Sequence, residues 1–225
     1  VAVFLMKKFL QGEISMEYCY KKGVPTLEEA NMILEEAEKL NPGKWVEHSI
    51  NVAEGAKLIA EQTDDLDPEL AYILGLLHDI GRREGMYGMR HGVDGYNYAV
   101  KKGYDLVART CISHTGFKYN NEVVIVGRWD GTIEEYNFAK EFLSRTEETD
   151  YDKLIKLCDY LALPSGFVLI EKRLVEMALR GGVNEYTIPR WKSTFEIKKY
   201  FEEKIRRSIY SLLPNIKENT FDSIL

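Results

Sequence analysis

Apolar positions recur at three- and four-residue intervals along almost the whole chain, and strict alternation of apolar with polar residues is nearly absent, which predicts an all-α protein. Thr26, followed three residues later by Glu29, forms a capping-box pattern that opens an amphipathic run over 27–40, and Asn41-Pro42-Gly43 ends it. A second helix is expected over 44–62. A third starts at Pro68, whose fixed φ suits a first helical turn, and runs to about Gly81. Further helical periodicities cover 91–102, 104–113, 132–145, 151–163, 166–180 and 194–213. Residues 115–131 form the one long irregular segment within this region; they contain Asn120-Asn121, Gly127 and Asp130-Gly131, and such loops often carry substrate contacts. The pattern divides the chain into a leading segment over 1–25 whose order it leaves open, one helical domain over 26–182, and a helical extension over 183–225 packed on that domain.

Several polar residues interrupt this pattern where apolar ones are expected. His48 continues the stripe of Trp45, Val52, Ala56 and Ile59; His78 follows Leu74 by four residues and Ala71 by seven. His114 follows Cys111 by three and Val107 by seven, and Asp159 stands four after Ile155 and three before Ala162. Each should face inward. His91 opens a helix, so spacing does not decide its direction. An unpartnered buried polar group costs about 1–3 kcal/mol and an unpaired carboxylate more, so these residues need partners. One inward histidine is ordinarily a hydrogen-bonded core residue, but three, one of them next to Asp79, together with Asp159, point to a shared metal.

Composition narrows the chemistry. With 225 residues, 45% of them hydrophobic, the chain can bury one sizeable core. A net charge of −6 and a pI near 5.4 argue against nucleic acid as partner, while a local basic patch could still bind a small phosphorylated molecule. Cys19, Cys111 and Cys158 are odd in number and contain no C-x-x-C pair, so neither a disulfide framework nor a thiolate zinc knuckle is expected, and a reducing cytoplasm fits. A cluster of Cys111, His114, Cys158 and Asp159 is an alternative that would leave His48 and His78 unexplained. Imidazole and carboxylate suit one or two divalent transition-metal ions, whether Fe, Mn, Co, Ni or Zn. No membrane span is read, because the apolar opening run Val1 to Met6 is too short. Homo-oligomer formation is left open.

The ordered set His48, His78-Asp79 within "HDIGR", and Asp159, preceded by "WVEHSINVA", resembles the HD-domain superfamily of metal-dependent phosphohydrolases. The segments "RHGVDGYNYA" and "CISHTGFK" look like the additional histidines of HD proteins that bind two metals. The resemblance implies an all-α HD-type domain in which His48, His78, Asp79 and Asp159 hold one metal and Asp79 bridges to a second held by His91 and His114. It also implies hydrolysis of a phosphate ester or anhydride in a small nucleotide or related metabolite. Mixed-valent di-iron oxygenases share the six-ligand pattern, and a non-catalytic nucleotide-sensing domain would keep the metals without turnover.

Around these residues, Arg82, Arg83, Arg90 and Lys118 are the basic groups nearest in sequence, and Arg82 and Lys118 are expected, with Asp79, to serve catalysis by meeting substrate phosphate. Pro164-Ser165-Gly166 precedes an expected helix, so its N–H groups could receive a phosphate, although N-capping by Ser165 is the simpler reading. Tyr98, Phe117, Tyr119 and Trp129 could stack a base but have spacing equally suited to core. Lys198, Lys199, Lys204, Arg206 and Arg207, interleaved with apolar positions, read as a solvated amphipathic face.

Overall fold

Threonine caps start three of the helices. Glu29 N–H donates to Thr26 Oγ1 at 3.2 Å and the Glu29 carboxylate accepts from Thr26 N–H at 2.8 Å, which fixes the start of α1 (Leu27–Leu40). The computed structural model describes residues 23–85 and 88–221, so all but the last three residues of the expected leading segment 1–25 lie outside it. Asp67 caps α3 (Pro68–Leu77), with Pro68 in its first turn, beside α2 (Trp45–Ala60). Then follow a 3-10 turn (Ile80–Glu84), α4 (His91–Lys102), α5 (Asp105–Ser113), β1 (Gly116–Tyr119) and β2 (Glu122–Ile125). Thr132 and Thr149 repeat the capping box ahead of α6 (Ile133–Arg145) and α7 (Asp150–Leu161). After the two-residue pair β3 (Ala162–Leu163) and β4 (Gly166–Phe167) come α8 (Ile170–Gly181), α9 (Thr187–Ile205), a 3-10 turn (Ile209–Ser211) and α10 (Ile216–Phe221). The fold is all-α.

Helices α2, α3 and α7 pack on one another around fully buried Val52, Ala56, Ile59, Leu76, Ile155 and Leu157. Gly75 permits the closest approach, because a Cβ there would stand 2.8 Å from Ala53 Cα. The approach brings the end of α3, carrying His78, to the face of α2 that carries His48. Gly81 does the same for α4: an added Cβ would lie 1.9 Å from the carbonyl oxygen of His91. The glycine therefore lets the 3-10 turn after Asp79 lie directly against the start of α4.

Four expected boundaries change. The segment 115–131 holds an antiparallel hairpin that pairs Gly116 with Ile125 and Tyr119 with Glu122; Asn120 and Asn121 turn it with φ of 49° and 63°, the left-handed region asparagine tolerates. Val123 packs with Val93, Ile112, Ala139 and Leu143 in a second small cluster beneath it. The α3 helix stops at Leu77 instead of Gly81, giving way to the 3-10 turn that fits beneath α4. The helix expected from Gly166 starts at Ile170, since Gly166 has φ 125° and pairs with Leu163. Its first N–H is taken by a neighbour, with Thr220 Oγ1 accepting from Leu169 N–H at 3.0 Å, so the 164–166 loop does not open the helix and Ser165 does not cap it. Finally, the helix expected over 194–213 spans Thr187–Ile205, because Arg206 turns left-handed at φ 56°. That turn sends Ile209, Leu213 and Ile216 back into the core cluster that also holds Phe201 and the α7 residues Leu154 and Leu157. Lys198 and Lys199 on the outer face pair with Glu202 and Glu203. No helix among the described residues is long and apolar enough to cross a membrane.

Candidate metal centre

Five segments of the chain converge on the centre. α2 supplies His48, the junction of α3 with the 3-10 turn supplies His78 and Asp79, and α4 supplies His91 in its first turn. α5 ends on His114, and α7 supplies Asp159. His48, His78, Asp79 and His91 are buried, and the side chain of His114 is nearly so, while 26% of the Asp159 side chain is exposed. The structure also settles the direction of His91, which is 1% exposed and points inward.

The three histidines around Asp79 share one orientation. His78 Nδ1 lies 2.7 Å from the Gly75 carbonyl, His91 Nδ1 lies 2.6 Å from that of Gly88, and His114 Nδ1 lies 3.1 Å from that of Thr110. A carbonyl oxygen can only accept, so each Nδ1 carries the proton and each Nε2 presents a lone pair to the centre. Nε2 of His91 stands 2.9 Å from Asp79 Oδ1 and 3.1 Å from His114 Nε2, which is itself 3.5 Å from Asp79 Oδ1. His78 Nε2 is buried with no hydrogen-bond partner, 3.9 Å from Asp79 Oδ2. On the other flank, His48 Nε2 meets Asp159 Oδ1 at 2.9 Å while its buried Nδ1 has no partner.

Lone pairs and carboxylates turned on each other at these distances require positive charge between them. Protons are poor candidates, because burial pushes His78 down to about 4 and also lowers His91. Burial would raise the two carboxyls as well. At Asp79 it is outweighed by the Arg82 guanidinium, and at Asp159 by the His48 hydrogen bond, so both stay ionised well below the usual carboxylate range. Divalent ions fit this donor set, with the backbone carbonyls acting as the outer partners that orient ligating imidazoles. Among the described residues, two groups of side chains lie close enough to hold an ion: His48, His78 and Asp159, with ligand atoms within 4.8 Å of one another, and His78, Asp79 and His114, equally close. Asp79 thus stands with His114, and with His91 alongside, and His78 is common to both groups. Neither group includes a cysteine; burial raises the thiols of Cys111 and Cys158, and Cys111 Sγ donates to the Leu77 carbonyl.

Of the four basic residues near the ligands, only Arg82 reaches the centre, its Nε donating to Asp79 Oδ2 at 2.5 Å. Arg83 stacks over Tyr98 with 4.3 Å to the ring centroid and pairs with Glu36, while Arg90 pairs with Asp94 and Glu135. Lys118 is exposed on β1; its Nζ donates to the Thr146 carbonyl at 3.2 Å and bonds none of the six candidate ligands. Trp129 donates to the Thr132 carbonyl and meets Tyr136 edge-on, and Tyr119 is exposed.

Asp130 is a positioning residue that the sequence did not reveal. Its Oδ2 accepts from Gly88 N–H at 2.9 Å and its Oδ1 from Arg90 N–H at 3.1 Å, so it caps α4, whose own flanking residue provides no side-chain cap, and fixes the Gly88 carbonyl that orients His91. Asn51 similarly ties α2 to the turn after α7, donating to the Leu163 carbonyl at 2.8 Å. Such partners lie about 40 and 110 residues away in sequence, beyond the reach of local spacing.

Residues 45–163, more than half of the chain, match the HD domain family, and the chain belongs to that family. All six candidate ligands fall within the match. Comparisons with curated proteins and with solved structures return no match.

Proposed function

We propose that this protein is a metal-dependent phosphohydrolase acting on a phosphate ester or anhydride of a small nucleotide or related metabolite. The observation that carries the reading is the set of three Nδ1-protonated histidines whose Nε2 atoms converge on one buried, ionised aspartate, with a second His–Asp pair beside them. His48, His78 and Asp159 would hold one divalent ion, and His78, Asp79, His91 and His114 would surround another. Bound there, such ions lower the pKa of water and offset negative charge on phosphoryl oxygens. Arg82, anchored through Nε, keeps a guanidinium that is about a quarter exposed beside Asp79, where its remaining N–H groups can meet a phosphoryl oxygen. The HD-family match supports this chemistry.

The test is metal analysis followed by a panel of phosphate esters and nucleotides with manganese, cobalt, nickel, iron and zinc supplied in turn. Hydrolysis that chelation abolishes is the expected result; oxygen consumption with iron and no phosphate release would favour an oxygenase instead. Chelation should also lower the melting temperature, because the ligands come from helices far apart in sequence and binding stabilises only the folded state. An unchanged melting temperature after verified metal removal would contradict the assignment. His114→Ala should leave about one equivalent of tightly bound metal, since the His48, His78 and Asp159 group survives it. Asp130→Ala should weaken metal affinity at the His91 side by about 10- to 100-fold, the usual scale for losing an outer partner of a ligand, with Asp130→Asn restoring part of it. Wild-type affinity in Asp130→Ala would show that Gly88 and His91 hold their places without it.

A further inference from the structure

His48 and Asp159 are less restrained than the other candidate ligands. The Nδ1 atoms of His78, His91 and His114 each face a backbone carbonyl and Asp79 is bonded by Arg82, whereas the buried Nδ1 of His48 has no partner. Asp159 meets His48 Nε2 at 2.9 Å, with 26% of its side chain exposed. The separation of these two ligands therefore depends on how α2 is set against the end of α7.

One face of α2 determines that setting. Asn51 follows His48 by three residues and Gly55 follows it by seven, so all three lie along the same side of the helix. Asn51 Nδ2 donates to the Leu163 carbonyl at 2.8 Å and to that of Pro164 at 3.3 Å, just past the end of α7. The amide NH₂ has two protons, one for each carbonyl. One turn further along, Gly55 lets Phe167 of β4 and Cys158, the residue before Asp159, come close: an added Cβ would stand 3.0 Å from Phe167 Cε1 and 3.6 Å from Cys158 Sγ. The C-terminal extension holds the same hairpin, since Thr220 Oγ1 of α10 accepts from Leu169 N–H at 3.0 Å and Asn219 leaves no room for a Cβ on Gly166. Pro164, β4 and α10 all lie beyond the residues that match the HD family.

We infer that Asn51 is a positioning residue for the ion held by His48, His78 and Asp159: by bonding the turn after α7 it fixes the gap between His48 and Asp159 before the ion arrives. Without those bonds the ion itself would have to bring the two helices into place, and that ordering cost is subtracted from its affinity. His78, Asp79, His91 and His114 come from neither α2 nor α7, so the ion among them does not depend on Asn51. Each ion then has its own positioning residue, Asn51 for one and Asp130 for the other. The inference rests on the metal assignment of the proposed function and not on turnover.

The experiment is calorimetric titration of the full chain with manganese, one site at a time. His114→Ala removes a ligand from one group and Asp159→Ala a ligand from the other, so each background retains one site. Adding Asn51→Ala to His114→Ala should weaken manganese binding by at least about tenfold, the low end of the scale for losing an outer partner of a metal ligand. Adding it to Asp159→Ala should change the affinity by less than about twofold, as for independent sites. Asn51→Leu, of similar size but with no N–H to donate, should reproduce both results and separates loss of the bonds from loss of volume. Undiminished binding in the His114→Ala background, or equal weakening in both backgrounds, would overturn the inference, the second because it would mean that Asn51 acts on the fold as a whole. A wild-type chain that binds no manganese would remove the metal assignment and this inference with it. A chain that binds manganese, responds to Asn51 in the one background only and hydrolyses nothing would leave the inference standing and sink the phosphohydrolase reading.

Discussion

Asp79→Asn should lower turnover on the best substrate by at least about two orders of magnitude, the scale of losing a main electrostatic element of an active site, while leaving the far-ultraviolet circular dichroism unchanged. Both carboxylate oxygens of Asp79 are in use: Oδ1 faces Nε2 of His91 at 2.9 Å and of His114 at 3.5 Å, and Oδ2 accepts from Arg82 Nε at 2.5 Å. An amide of the same shape offers one neutral oxygen and one NH₂ group. If the oxygen stays on Arg82, the NH₂ donors point where a cation would sit; if it faces the histidines, the NH₂ confronts the Arg82 N–H. Either way the negative charge that holds positive charge among the imidazoles is gone, so metal content should fall with the rate. An Asp79→Asn protein with near-normal rate and stoichiometry would remove Asp79 from both the ligand set and the mechanism.

The largest effect on stability is expected at Arg109→Met, about 3–5 kcal/mol in a urea denaturation experiment at pH 7, the usual cost of stranding one member of a buried ion pair. Arg109 is 8% exposed and Asp152 2%; Arg109 Nε donates to both Asp152 oxygens, at 3.1 and 2.9 Å, and the terminal nitrogen reaches Oδ2 at 2.5 Å and the Glu147 carbonyl. Asp152 also accepts from Thr149 N–H at 2.8 Å, which caps α7, the helix that carries Asp159. Burial acts to raise the Asp152 carboxyl, but Arg109 and Thr149 outweigh it and hold it below its ordinary value. In the wild type the pair therefore contributes fully above the unfolded carboxylate pKa of about 4, and the contribution is lost as pH falls below that through the lower folded value. In Arg109→Met the stranded carboxylate is relieved by protonation. The stability gap between the two proteins should accordingly shrink as pH falls from about 6 toward 3; a gap that stays constant would mean that the pair contributes through packing and not through charge.

Local chemistry made much of the helical frame legible in advance. The helix over 91–102 emerges at its expected bounds because Gly103 ends it, and α1, α6 and α7 start where Thr26, Thr132 and Thr149 cap them. His48, His78 and Asp79 needed only the three-four rhythm of their helices and the HD pattern to stand out, since a polar residue on an apolar stripe is visible without knowing what it touches. The hairpin was less legible: Asn120-Asn121 was seen, but four-residue strands with one buried position each, Gly116 and Val123, carry too little alternation to register. The left-handed Arg206 gave no signal either, because an arginine is ordinarily a good helix former and only the burial of Ile209 and Leu213 behind it offsets the strain.

By itself, then, the sequence determined the helices, their caps and the polar residues that interrupt the buried faces, all of which depend on neighbours within about four positions along the chain. Tertiary structure alone decided which way His91 points, which carbonyls fix the three imidazoles, and why Arg82 serves the centre while Arg83 and Arg90 are taken by Glu36, Asp94 and Glu135. It alone placed Asp130 under α4. The reason is physical: burial, hydrogen-bond partnership and electrostatic potential are set by atoms that packing brings together from distant parts of the chain, and Gly75 and Gly81 specify that packing by what they lack, which leaves no signature in periodicity or charge.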